Sequence, residues 1–199
     1  MPDLTRTVVI GTSCSGKSTF ARELATRLGS PHTELDSLSW LPGWIERDRD
    51  EFRALMANWA GGERWVIDGN YTGHARSLLW PRATALIWLD YPFPLVLWRS
   101  VRRTIMRAAT GQVICNGNRE SWRKSFLSRE SIILWVIKTH GKNRERFGSL
   151  VAGTDYPNAE KIRFEDPAEA RAFLARLPVC PMRSTTAPPV LPGAAERNE

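Results

Sequence analysis

Apolar residues fall along this chain in two rhythms. Short runs rich in β-branched and apolar residues recur at Thr7–Ile10, His32–Leu35, Trp65–Asp68, Ala85–Leu89 and Lys161–Phe164, and runs of that length predict strands. Between them, apolar positions return every three or four residues. That period predicts helices over Lys17–Leu28, Arg47–Ala60, Pro94–Ala109 and Pro167–Leu177, with a longer pattern from about Arg119 to Phe147 that breaks near Gly141. The first helix stops at Gly29 with Pro31 just beyond, and the second at Gly61–Gly62. Strands alternating with helices of this length predict an α/β architecture of three layers, a five-stranded parallel sheet with helices on both faces. Ligands of such a sheet bind beyond the carboxyl ends of its strands.

From Pro178 onward the chain is rich in Pro, Ala and polar residues and has no apolar period. We therefore expect one domain over residues 1–177 and a disordered tail over 178–199. A length of 199 residues, with 42% hydrophobic and 25% charged positions, is enough for one domain with a sizeable core. Cys14, Cys115 and Cys180 are odd in number and far apart, so neither a disulfide framework nor a CxxC metal pair is expected. The opening residues lack the apolar core of a signal peptide. The most apolar stretch, Ala83–Trp98, is interrupted by Asp90, Pro92 and Pro94. The expectation is a cytoplasmic protein outside the membrane.

Charge changes the picture in one region. The net charge is +7, yet Arg99–Arg146 alone holds nine Arg and three Lys against three Glu, or +9, which leaves −2 for the rest. Positive charge concentrated this way points to something anionic bound there, a nucleotide or a nucleic-acid backbone, although a solvated helix face has the same composition.

The chemistry begins at Gly11-Thr-Ser-Cys-Ser-Gly16-Lys17-Ser18. It fits GxxxxGK[ST] between a predicted strand and a predicted helix, the placement in which backbone N–H groups and the helix dipole converge on a phosphate chain. Lys17 would reach the terminal phosphates and the Ser18 hydroxyl would ligate Mg²⁺. The nucleotide-binding set is Gly11, Thr12, Ser13, Cys14, Ser15, Gly16, Lys17, Ser18 and Thr19. Asp36, Asp68 and Asp90 stand at the ends of strands two, three and four, all on the ligand side. In phosphoryl transfer one such acid holds the metal and another positions or deprotonates the acceptor, and Asp68 before Gly-Asn is the best candidate among them. The acceptor is expected between Asp36, Trp40, Trp44, Asn70 and Tyr71. The next helix carries Arg99, Arg103 and Arg107 at i, i+4 and i+8, with Leu95, Trp98, Val101 and Ile105 expected on its buried stripe. Because Gly111, "CNGNRE" and the Arg119/Arg123 pair follow directly, residues 99–123 read as a helical lid bringing charge over the triphosphate.

These motifs, with "ELDSLSWLPGW", "VIDGNY", "WPRATALIWLDYP" and "NGNRESW", resemble the adenylate-kinase-like P-loop kinases over about the first 175 residues. Within them the chain is most similar to the topology modulation protein, or FlaR-related, group. The resemblance implies that Asp68-Gly69 supports Mg²⁺. It also implies that Arg99 packs on adenine while Arg103 touches phosphate, and that Arg119 and Arg123 clamp the transferred phosphoryl. On the acceptor side Asp36–Ala60 departs from adenylate kinases, with "SLSWLPGW" and "RDRDEF" in place of their AMP-binding insert. The expected activity is ATP- and Mg²⁺-dependent phosphoryl transfer to a nucleotide or another small molecule. The alternative is an ATP-switched nucleic-acid-binding protein. The catalytic set is Lys17, Asp36, Arg103, Arg119 and Arg123, and the metal set is Ser18 and Asp68.

Overall fold

The computed structural model describes residues 1–70, 73–110, 116 and 131–181. In chain order the elements are β1 (Arg6–Gly11), α1 (Lys17–Leu28), β2 (His32–Glu34), α2 (Leu35–Ser39), β3 (Trp40–Leu41), β4 (Ile45–Glu46) and α3 (Arg49–Gly61). They continue as β5 (Trp65–Asp68), α4 (His74–Leu78), β6 (Ala85–Leu89), α5 (Phe93–Thr110), α6 (Ile132–Ala152), β7 (Glu160–Phe164) and α7 (Pro167–Arg176). Five strands form one sheet in the order β2-β5-β1-β6-β7, every pair parallel, and β3 and β4 form a small antiparallel hairpin. The predicted three-layer α/β class is the observed one.

Side chains alternate across the sheet and so build two cores. Val8, Ile10, Ile67, Leu86 and Trp88 face a layer that includes Leu35 and Leu38 of α2, Phe52 to Ala60 of α3, and Phe147 and Leu150 of α6. Val9, Val66, Ile87 and Leu89 face Phe20, Leu24 and Ala25 of α1, Val96 of α5 and Leu174 of α7. A sheet buried on both faces reads as continuous apolar runs, which is why the strands stood out in the sequence. Each fully buried Val, Leu or Ile stabilises the fold by about 1.5–3 kcal/mol relative to exposure.

The structure corrects several expectations. β2 ends at Glu34, and Leu35 and Asp36 belong to α2, a single turn too short to carry a period. α3 starts at Arg49 because the Asp48 carboxylate caps it, accepting from Asp50 N at 2.9 Å and Glu51 N at 3.2 Å. α6 runs through Gly141 unbroken, anchored before it by Val136 and His140 and after it by Phe147 and Leu150. Such packing outweighs the cost of about 1 kcal/mol for an interior glycine. The stripe expected to be buried on α5 holds only in part: Leu95 packs against the core and Val101 is half-buried, but Trp98 and Ile105 are not buried. Val96, Ser100 and Thr104 are fully buried, while Trp98 and Ile105 face solvent at 58% and 46% exposure. Ser100 and Thr104 satisfy their hydroxyls within the helix, on Leu97 O at 2.7 Å and Ser100 O at 2.8 Å, so polar residues occupy the seam.

Residues 178–181 return along the end of α1. Cys180 N donates to Arg27 O at 2.7 Å, and Pro181 O stands where a Cβ on Gly29 would meet it at 2.5 Å. The boundary that composition sets at Pro178 thus falls before a docked segment. Deleting residues 182–199 is expected to leave Tm within about 2 °C, whereas deleting from Pro178 lowers it by about 2–4 °C more, since one helix-end carbonyl loses its partner. Scanning calorimetry of the two truncations measures the difference.

Candidate functional site

The loop Gly11–Thr19 leaves β1 at the middle of the sheet and enters α1, with Gly16 at φ 97° immediately before the helix. Cys14 adopts φ 66°, a left-handed conformation that a side chain rarely takes, and packs against the core under α1. Ser15 is almost fully buried, and its hydroxyl has no hydrogen-bond partner. Lys17 Nζ donates to Thr12 O at 3.2 Å. Burial pushes the Lys17 ammonium below its ordinary range; Asp68 and Asp36 oppose that shift and the Arg103 charge adds to it. Asp36, Asp68 and Arg103, far apart in sequence, therefore all come near enough to Lys17 to act on its charge.

The three strand-end acids separate by their partners. Asp68, nearly inaccessible, accepts at Oδ1 from Ser18 Oγ at 2.8 Å, and its Oδ2 lies 2.9 Å from His32 Nε2. Asp36 is exposed on α2. Asp90 is buried in an ion network with Arg144 Nε and Arg163 Nε, each 3.1 Å from Oδ2, and both guanidinium groups also pair with Glu165. A buried carboxylate needs such partners, so Asp90 is a structural pin between β6, α6 and β7.

Arg99 Nη1 donates to Ser15 O at 2.8 Å, and its guanidinium lies over the Tyr91 ring, 5.2 Å from the centroid. It thus reaches the Gly11–Thr19 loop itself. Burial raises the Tyr91 hydroxyl to about 12, so the ring beneath Arg99 stays neutral. Arg103 Nε is buried without a hydrogen-bond partner. Asn70, expected at the acceptor, pairs with Gly11 through both amide atoms, Nδ2 donating to Gly11 O at 2.6 Å and Oδ1 accepting from Gly11 N at 3.3 Å. Trp40 and Trp44 meet edge to face at 6.0 Å on the β3–β4 hairpin. Tyr71, Arg119 and Arg123 lie outside the described residues, as do residues 111–115 and 117–123 of the expected lid.

Sequence reasoning missed two contributors. His32 carries no motif, and only its place at the start of β2 beside β5 brings it to Asp68. Asn116 Nδ2 donates to Ser37 O at 2.8 Å and also to Trp40 O. Its Asn-Gly signal marks a turn without naming what the turn touches.

For a metal, the donors fit magnesium. Ser18 and Asp68 present adjacent oxygens beside the loop, and among the described residues no cluster of three or more His, Cys, Asp or Glu forms a protein cage. Mg²⁺ at phosphate sites is held by one or two protein oxygens together with phosphate and water. No helix among the described residues is long and apolar enough to cross a membrane.

No family model and no curated protein matches the chain. Among solved structures it is similar to an unliganded sugar kinase from Janibacter sp., at 19% identity over 88% of this chain and 95% of that one, with a TM-score of 0.49. It is also similar to a gluconokinase from Sinorhizobium meliloti, at 20% identity over 89% of this chain and 95% of that one, with a TM-score of 0.48. Both likenesses are distant, and the functional reading rests on the residues of the site.

Proposed function

We propose that the chain is an ATP-dependent phosphotransferase of the P-loop class acting on a nucleotide or another small molecule. The observation that carries this reading is the convergence on one loop of the half-buried Lys17, whose ammonium donates to Thr12 O, and the Ser18–Asp68 pair. In this reading the loop N–H groups and Lys17 cradle the triphosphate, while Arg99 holds the loop from the α5 side. Arg103 sets a second positive charge near Lys17, where charge develops on the phosphoryl group. Ser18 and Asp68 would hold Mg²⁺, which supplies charge neutralisation on the phosphates. His32 fixes the Asp68 carboxylate, and Arg119 and Arg123 remain candidates for the phosphoryl clamp. Catalysis is then mostly positioning and electrostatics, with little covalent work for the protein. The test is ADP release from ATP across a panel of nucleoside monophosphates, nucleosides and small hydroxylated metabolites. A protein inactive on the whole panel that also fails to bind ATP would lose this reading.

Asp36, exposed on α2 yet close enough to act on Lys17, is the residue proposed to position or deprotonate the acceptor, with Trp40 and Trp44 proposed to line the same pocket. Asp36→Asn is expected to lower kcat with the best acceptor by about a hundredfold and leave ATP affinity within about threefold. Steady-state kinetics with direct ATP titration separates the two; an equal loss in both moves Asp36 to the nucleotide side.

A further inference from the structure

We infer that Asn70 is the positioning residue that fixes the start of the phosphate-binding loop, an assignment that rests on reading Gly11–Thr19 as a triphosphate cradle. β5 ends at Asp68, paired with Val9, and Gly69 N still donates to Val9 O at 3.2 Å. Had β5 continued, its next carbonyl and next N–H would have met the N–H and carbonyl of Gly11. The main chain turns away instead at Gly69, φ 143°, where a Cβ would stand 2.7 Å from Leu35 Cβ. The Asn70 side chain supplies both missing groups, accepting from Gly11 N at 3.3 Å and donating to Gly11 O at 2.6 Å. One primary amide thus replaces one rung of the parallel ladder.

Asparagine suits this task by its inventory and reach. Aspartate keeps the acceptor and loses the donor, alanine loses both, and glutamine is one methylene longer. Gly11 is buried, so an abandoned N–H and carbonyl there would have no easy access to water. On its other side Gly11 is closed in by β6, since a Cβ would lie 2.7 Å from Leu89 O and 2.9 Å from Ser15 Oγ. Held between β6 and Asn70, Gly11 sets the direction in which the following N–H groups leave the sheet. Asn70 therefore acts on phosphate through the loop, by aiming donors that it does not itself carry.

The test uses the full chain and a fluorescent, non-hydrolysable ATP analogue with Mg²⁺. Asn70→Ala and Asn70→Asp are each expected to weaken binding by about tenfold or more. Hydrogen exchange should speed up in the peptide spanning residues 9–16 and stay unchanged in β6 and β7. Asn70→Asp, isosteric with the native residue, carries the test if Asn70→Ala fails to fold. Binding within twofold of wild type in a folded variant, or exchange that rises evenly across the sheet, overturns the assignment. If the wild-type chain does not bind the analogue, the triphosphate reading fails, and the exchange measurement alone still decides whether Asn70 holds Gly11.

Discussion

Lys17→Ala is expected to reduce phosphoryl transfer by about a hundred- to a thousandfold, the range seen when one preorganised charge at a transition state is removed. The protein should still melt within about 3 °C of wild type. Both halves follow from where the side chain sits. Lys17 opens α1, but that helix is anchored by Phe20, Ala21, Leu24 and Ala25, none of which the substitution touches. Its ammonium donates to the Thr12 carbonyl at 3.2 Å, a local contact within the loop. Burial already works against the charged ammonium, and Asp68 and Asp36 restore it in part. A charge kept in so costly a place gains most when phosphate arrives. Lys17→Arg should not rescue turnover, because a planar guanidinium does not reproduce the compact point charge of an ammonium. The measurement is ADP release with the best acceptor, alongside scanning calorimetry; turnover near the wild-type value in a well-folded variant would remove the phosphate-binding reading of the loop.

The parts of the fold legible in the sequence were those with their own period or their own punctuation. The three central strands β1, β5 and β6 are buried on both faces and so appear as apolar runs, and α1 and α3 end at glycines. What stayed hidden depends on spatial neighbours. α2, β3 and β4 span five, two and two residues, too few for any period to show. The facing of α5 was misread in part because its buried seam holds Ser100 and Thr104, whose hydroxyls bond within the helix and so behave as small space-fillers. The site divides the same way. Lys17 and Ser18 announce themselves by spacing, since a loop that cradles phosphate needs its residues consecutive. His32 on Asp68 and Asn70 on Gly11 are contacts between adjacent strands, and nothing in the local sequence of either residue records its partner. Asp68 stands out in the sequence by the Gly-Asn that follows it and Asp90 is the weakest of the three strand-end acids there, but the arginines of α6 and β7 that hold Asp90 leave no local mark.

The arginines of α5 distinguish a phosphotransferase from a nucleic-acid binder. Arg103 lies close enough to Lys17 to depress its pKa, and its Nε is buried without a hydrogen-bond partner. Two cations held near each other with one donor unused form a site prepared for an anion with several negative charges. Arg103→Ala is therefore expected to lower kcat by about ten- to a thousandfold with a smaller change in ATP affinity, since its charge matters most as the phosphoryl group moves. Arg99→Ala should act differently. Its guanidinium is tied to Ser15 O and to the Tyr91 ring, so its loss loosens the loop in the ground and transition states alike and raises KM for ATP. If this helix grips a nucleic-acid backbone instead, each substitution should weaken DNA binding about equally on every sequence and reduce the salt slope by about one, while ATP turnover holds. The solvent side of α5, about a quarter turn from Arg99 and Arg103, also offers exposed Trp98 beside Arg102, 5.5 Å from ring to guanidinium. Trp98→Ala with Arg102→Ala serves as the control pair, since a backbone-gripping helix would use that face while the proposed phosphotransferase does not need it. Loss of turnover confined to Arg103 and Arg99 supports the phosphotransferase, and loss of DNA affinity at Arg102 with unchanged turnover at Arg103 would end that reading of the helix.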